Sequence, residues 1–264
     1  MPIRRRPKVA TLIDYDKYKE PWAHILKSIN FTPETHITAD DMKKAGKTWT
    51  GQACQFEPRL LAYQPLLSSR PSIFKDNNIY ILPIKNGTYI LTNDNIYKEL
   101  LYEDVPIINV TKDTLSTVLT IGNSETSIID NLRYSGVFER PEILGEPITH
   151  GPLLNGRHRC DIDITLGGKP LEIRGVQYEV DSCFESKNKI LLIEGKSSTK
   201  QIDSFNIRQL FFPYKVLHTC KKEIVCLFIH ELNSIVNIWK FTFEDSTSFN
   251  SIKQLGYYRY KFNS

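Results

Sequence analysis

The sequence predicts an α/β (α+β) fold, a mixed central sheet flanked by helices and preceded by a winged-helix-like N-terminal domain. Three observations point there. Strand-like alternation of polar and apolar residues recurs through the last third of the 264-residue chain. The run Ile190-Leu191-Leu192-Ile193 is continuously apolar, as in a strand covered on both faces. A helical pattern from Asp203 to about His218 interrupts the strands. The order strand, strand, strand, helix, strand, strand is that of a layered mixed sheet.

Taken along the chain, Thr38 to Gly46 reads as a short helix. Thr38 caps it, Asp41 lies in its first turn, and Gly46 is a stop signal. Ile79 to Ile84 and Thr88 to Leu91 read as a hairpin whose Asn86-Gly87 turn supplies positive φ angles. A short helix followed by such a hairpin suggests the winged-helix-like module. The stretch from Pro106 to Pro147 holds more than one element. His150 to Gly156 reads as a linker, which places a boundary between an N-terminal domain, 1–149, and a C-terminal domain, 150–264.

Beyond that boundary, Arg159 to Leu166 alternates as a strand and Gly167-Gly168-Lys169 turns the chain. Leu171 to Cys183 is a longer strand with a bend at Gly175. Ser186 to Lys189 turns into the apolar run. Pro213 is expected to kink or interrupt the helix that follows. Glu223 to His230 and Ile235 to Phe243 form two further strands around Asn233-Ser234.

Composition narrows the functional classes. At 41% hydrophobic and 24% charged residues the chain is ordinary for a globular protein. No apolar run nears the ~20 residues that span a bilayer. The basic start, Arg4-Arg5-Arg6, is not followed by the apolar stretch of a secretory signal, so the cytoplasm is the expected compartment. Five cysteines at irregular spacings, with no CxxC, argue against a disulfide framework or a structural zinc site. A net charge of +4 permits nucleic-acid binding without demanding it.

The chemistry lies in Asp181, followed after twelve residues by Glu194-Gly195-Lys196. A strand has period two, so Glu194 and Lys196 emerge on one face just past the apolar run. If the two strands pair as a hairpin, Asp181 comes beside them. Two carboxylates and an ammonium then share one strand end, the set that phosphodiester hydrolysis needs. Mg²⁺ prefers carboxylate oxygens, which Asp181 and Glu194 would supply, with the Gly195 carbonyl as a further ligand. Lys196 would orient the attacking water and offset charge in the transition state. A glycine at 195 leaves room for a DNA backbone. The plain alternative is a strand that ends in Glu-x-Lys beside a turn aspartate, with no chemistry at all. Glu179 could assist the metal or pair with a surface cation. Arg208 and Gln209, on the following helix, would support the carboxylates or touch a phosphate, or else form a salt-bridged face. Asp161 and Asp163 are the alternative acids.

Together, Asp181…Glu194-Gly195-Lys196 matches the PD-(D/E)xK nuclease pattern, with Val180 where the pattern's namesake has proline. The stretches Gly175 to Ser182, Leu192 to Lys196 and Phe205 to Tyr214 resemble a group of prokaryotic type II restriction endonucleases. Glu57 to Leu61 and Ile79 to Ile84 resemble the N-terminal region of that group. The resemblance implies a restriction-endonuclease-like sheet, with Asp181 and Glu194 as metal ligands and Lys196 as the catalytic lysine. It further implies Mg²⁺-dependent cutting of both strands of duplex DNA at a specific sequence, leaving 5′-phosphates. A homodimer would supply two active sites, and a cognate DNA methyltransferase would belong to the same restriction-modification system. Candidate DNA contacts are Arg4, Arg5, Arg6, Lys43, Lys44, Lys47, Arg59, Arg70 and Lys75, among Trp49 and Tyr63. The competing readings are a repair or recombination nuclease with the same core and a non-catalytic DNA-binding regulator.

Two other motifs fail. Gly151 to His158 lacks the Lys and Ser/Thr of a P-loop, and His230-Glu231 lacks the second histidine of a zinc protease motif.

Overall fold

The computed structural model describes residues 15–51, 56–111, 124–197 and 200–263; Arg4, Arg5, Arg6 and Cys54 lie outside them. The N-terminal elements are α1 (Lys19–Ser28), β1 (Thr35–Thr38), α2 (Ala39–Lys47), α3 (Pro58–Ala62), α4 (Ser72–Asp76), β2 (Tyr80–Lys85) and β3 (Thr88–Thr92). There follow β4 (Tyr97–Glu99), β5 (Ile107–Thr111), α5 (Glu125–Tyr134), β6 (Ile148–Leu153), β7 (Gly156–Leu166), β8 (Lys169–Val180), β9 (Ser182–Ser186) and β10 (Lys189–Ser197). The chain ends with β11 (Ser204–Asn206), α6 (Arg208–Leu217), β12 (Glu223–Leu232), β13 (Ile235–Phe243) and β14 (Ile252–Asn263). No helix among the described residues is long and apolar enough to cross a membrane.

These elements make a mixed α+β fold. One sheet has five strands in the order β1-β3-β2-β8-β7, a larger one has seven in the order β5-β14-β13-β12-β10-β9-β6, and β11 and β4 form a two-stranded third. β10 runs parallel to β12, and β5 parallel to β14, within the otherwise antiparallel larger sheet. The apolar run of β10 divides as a central strand should: Ile190 and Leu192 join the core around α6, while Leu191 and Ile193 join the core under α5. A third core packs Trp22, Ile25, Met42 and Phe74 from α1, α2 and α4 against Ile37, Ile81 and Leu91 of the smaller sheet.

Several expectations hold in detail. α2 begins at a capping box. The Thr38 hydroxyl accepts the Asp41 N–H at 3.1 Å, and the Asp41 carboxylate accepts the Thr38 N–H at 2.9 Å. Thr38→Ala is therefore expected to lower stability by about 1 kcal/mol in urea unfolding. Gly46 does not stop the helix, which runs on to Lys47; a Cβ at this position would meet Phe56 at 2.9 Å. In the β2–β3 hairpin the positive φ falls on Gly87 alone, at +70°.

Other expectations are corrected. The hairpin is no free wing, because β1 flanks β3 and β8 flanks β2. The predicted long strand from Leu171 to Cys183 breaks at Asp181. Its first part, β8, belongs to the smaller sheet, and its second, β9, to the larger. The predicted helix from Asp203 starts instead at Arg208, because Ser204–Asn206 pairs with β4, and it runs through Pro213 to Leu217. The boundary at 149/150 falls inside β6. Earlier residues, in β5 and α5, build and cover the larger sheet, while later ones, in β7 and β8, extend the smaller sheet. His150 to Gly156 is no linker: it carries β6 and turns into β7.

Candidate active site

Asp181 stands where the chain leaves one sheet for the other. Its neighbour Ser182 pairs with Ile193, so Asp181 comes opposite Glu194. The Asp181 carboxylate accepts the Gly195 N–H at 2.8 Å, which ties the corner to the end of β10. Glu194 and Lys196 share a face, as period two requires. The Lys196 ammonium donates to Glu194 Oε1 at 2.5 Å and to the Gly195 carbonyl at 2.9 Å, and lies 4.0 Å from Asp181.

A further acid, Glu125 in the first turn of α5, completes the group. Its carboxylate lies 4.0 Å from the Lys196 ammonium and accepts the Ser197 N–H at 3.2 Å. The sequence does signal a helix start here, because the Ser124 hydroxyl caps α5 by accepting the Ser127 N–H. Nothing in the sequence tells that α5 docks beside β10. Gly195 faces α5 at ordinary packing distance: a Cβ there would sit 3.4 Å from Ile129 and 3.6 Å from Glu125. The glycine thus faces α5 rather than clearing space for a DNA backbone. An alanine fits at these distances, so Gly195→Ala is expected to keep its melting temperature within about 1 °C of the parent.

Electrostatics mark the group as unusual. Glu194 is 4% exposed, and burial pushes its carboxyl up to about 8, aided by Asp181 and Glu125 and opposed by Lys196. Burial pulls Lys196 down, but the carboxylates of Glu194, Glu125 and Asp181 outweigh it and raise the net value, so the ammonium keeps its proton. Gln209, on α6, donates its amide N–H to Glu194, while its own buried amide oxygen has no hydrogen-bond partner among the described residues. Arg208 lies nearby. Burial lowers its guanidinium from arginine's ordinary value, against the opposing influence of Glu194, Tyr97, Tyr89 and Tyr63, and it stays charged.

Other candidates fall elsewhere. Glu179 is exposed and points toward Arg157, at 3.9 Å. Period two does not carry Glu179 to the face of Asp181, because Asp181 lies in the break between strands. Asp161 accepts the Gly175 N–H and Asp163 pairs with Arg174, both within the β7–β8 ribbon. Tyr214 is buried in the core. Lys43, Lys44, Lys47 and Arg59 are exposed, and Lys75 is exposed while donating to the Ser68 carbonyl. Trp49 packs on Phe56, and Tyr63 is 55% exposed. Arg70 is no DNA contact. It is buried, donates to the Ile79 carbonyl at 3.0 Å and lies 4.2 Å over the Tyr80 ring. Arg70→Ala is expected to cost about 1–3 kcal/mol in urea unfolding, by orphaning that carbonyl, with nucleic-acid affinity unchanged at temperatures where the variant is folded.

No set of three or more His, Cys, Asp and Glu side chains among the described residues is gathered so as to hold a metal by itself. A hard cation such as Mg²⁺ commonly takes only one or two carboxylates and keeps its waters. An all-oxygen, anionic donor set fits it, and the group that now sits among these carboxylates, the Lys196 ammonium, is itself a cation.

Residues 92–261 match a family model described as a domain of unknown function, DUF6997. The chain belongs to the DUF6997 family. The DUF6997 match covers Asp181, Glu194, Lys196, Glu125 and Gln209, and so the whole group just described. Residues 19–91 match a second model of the same description, DUF6996, which meets the DUF6997 match at the end of β3. No curated protein and no solved structure matches the chain.

Proposed function

We propose that this DUF6997 chain is a Mg²⁺-dependent nuclease of the PD-(D/E)xK type, acting on duplex DNA. One observation carries the reading. Asp181 and the Glu194-Gly195-Lys196 segment, with twelve residues between them in sequence, meet at one strand end with a buried carboxyl and a charged lysine in contact.

In this reading Asp181 and Glu194 hold the metal, with Glu125 as a further acid beside them. A bound Mg²⁺ would polarise the phosphate and lower the pKa of a coordinated water. Lys196, whose ammonium lies against Glu194 and the Gly195 carbonyl, would orient the attacking water and offset the charge that develops on phosphorus. Gln209 holds Glu194 in place, and the Arg208 guanidinium, buried nearby, supports the carboxylates electrostatically. The Gly195 carbonyl, which now accepts from Lys196, is a third oxygen donor.

The resemblance to type II restriction endonucleases supports the finer reading of a cytoplasmic, site-specific, dimeric enzyme that leaves 5′-phosphates and is accompanied by a DNA methyltransferase. The test is digestion of a plasmid of known sequence with Mg²⁺, with and without EDTA, followed by sequencing of the ends. Discrete fragments with common end sequences support restriction. Progressive or structure-dependent cutting supports a repair nuclease. Binding without cutting supports the regulator and rejects the catalytic assignment.

A further inference from the structure

The rejected P-loop segment takes on a new role once the strands are paired. Leu153 of β6 pairs with Cys183 of β9, and Gly156 of β7 pairs with Val180 of β8. Leu154 and Asn155 therefore lie opposite Asp181 and Ser182. Both strands of this ribbon cross from one sheet to the other at the same level, and the β6–β7 corner stands directly beside the candidate active site.

The corner is apolar, exposed and held in shape. Leu153 and Leu154 are 37% and 39% exposed, and the whole stretch from Thr149 to Asn155 faces solvent. Leu154 occupies the left-handed region at φ +54°, which a leucine rarely adopts, and Gly156 follows at φ +95°. The His158 ring donates to the Leu154 carbonyl at 3.0 Å and stacks on Tyr178 at 5.5 Å, bracing the turn. No carboxylate occurs from His150 to Arg159. Arg157 and Arg159 are exposed on β7; the acids facing this edge are Asp181, opposite the corner itself, Glu179, 3.9 Å from Arg157, and Glu185, in register with His150. A braced apolar tip with cations behind it, next to the bond-breaking group, is the form in which proteins insert side chains between base pairs while fixing the flanking phosphates.

We propose that the β6–β7 corner is a DNA wedge, in which Leu153 and Leu154 insert at a base step of the duplex beside the cleaved bond and Arg157 and Arg159 hold the adjoining phosphates. This rests on the nuclease reading. The wedge unstacks the step and opens the backbone toward Asp181 and Glu194.

The test uses the full chain carrying Lys196→Ala, so that bound DNA stays intact in Mg²⁺. A nicked plasmid is closed by DNA ligase in the presence of this protein, and the topoisomers are resolved on a gel. Insertion unwinds DNA, so closure should trap a lower linking number as protein is added. Adding Leu153→Ser and Leu154→Ser should abolish the shift and weaken plasmid binding at least tenfold, with the melting temperature retained. Adding Arg157→Ala instead should weaken binding and flatten its salt dependence, yet leave the shift intact at saturation. Unwinding by the double-serine chain equal to that of its parent overturns the wedge, as does saturated binding by the parent without unwinding. If the unmodified chain cuts plasmid with Mg²⁺ in either case, the nuclease reading survives the loss of the wedge. If the unmodified chain neither binds nor cuts, both fall together.

Discussion

Replacing Lys196 with alanine is expected to slow Mg²⁺-dependent plasmid cleavage by about 10²–10³-fold, the usual effect of removing one donor aimed at transition-state charge. The geometry makes the residue hard to replace. Its ammonium touches Glu194 and the Gly195 carbonyl and lies within 4.0 Å of both Asp181 and Glu125. Without it three carboxylates face one another, and the buried Glu194 loses the strongest influence that lowers its pKa. Excess Mg²⁺ should not restore the rate of the variant. Asp181→Asn and Glu194→Gln should lose cleavage through weaker metal binding instead, with part of the rate returning at high Mg²⁺. An alanine variant that cuts as fast as the parent at matched Mg²⁺ would remove Lys196 from the mechanism.

The largest effect on stability is expected at Trp239. It is fully buried between the rings of Tyr102 and Tyr257, each 5.0 Å away, and its indole N–H donates to the Leu101 carbonyl at 2.9 Å. Trp239→Ala leaves a large cavity and an orphaned carbonyl. The expected loss is about 3–5 kcal/mol, read as a lower urea midpoint with an unchanged slope. A loss under about 1 kcal/mol would mean that the surrounding rings collapse into the space. Trp239→Phe keeps most of the volume and should recover more than half of the loss.

Much of this architecture could be read from residues alone, for reasons that differ by element. The capping box at Thr38 and the turn at Gly87 are local, fixed by side chains within four residues of each other. The apolar run of β10 announces a two-faced strand because nothing polar interrupts it. Period two then brings Glu194 and Lys196 together without knowledge of any neighbour. What stayed hidden depends on contacts across long separations. Asp181 reads as part of one continuous strand, because Val176, Tyr178 and Val180 lead into it, Phe184 soon follows, and the change of sheet leaves no mark in the pattern. Counting by two from Asp181 back through that break puts Glu179 on the wrong face. Glu125 sits in an ordinary helix start, and only the docking of α5 on β10 gives it a place in the group. β14 escaped notice although it is twelve residues long; its exposed and buried positions alternate too loosely around Gly256 to show a strand period.

The crossing at Asp181 means that the acidic pair is split between two bodies. Glu194 rides on the larger sheet, while the backbone that leads into Asp181 comes from the smaller one, whose other face carries α1, α2 and α4. A tilt of one sheet against the other changes the spacing of the two carboxylates without breaking a strand in either. The hydrogen bond from the Gly195 N–H to Asp181 ties the two sheets together at this point. The smaller sheet, with the N-terminal helices packed on it, is therefore joined through the backbone at Asp181 to the candidate site on the larger one.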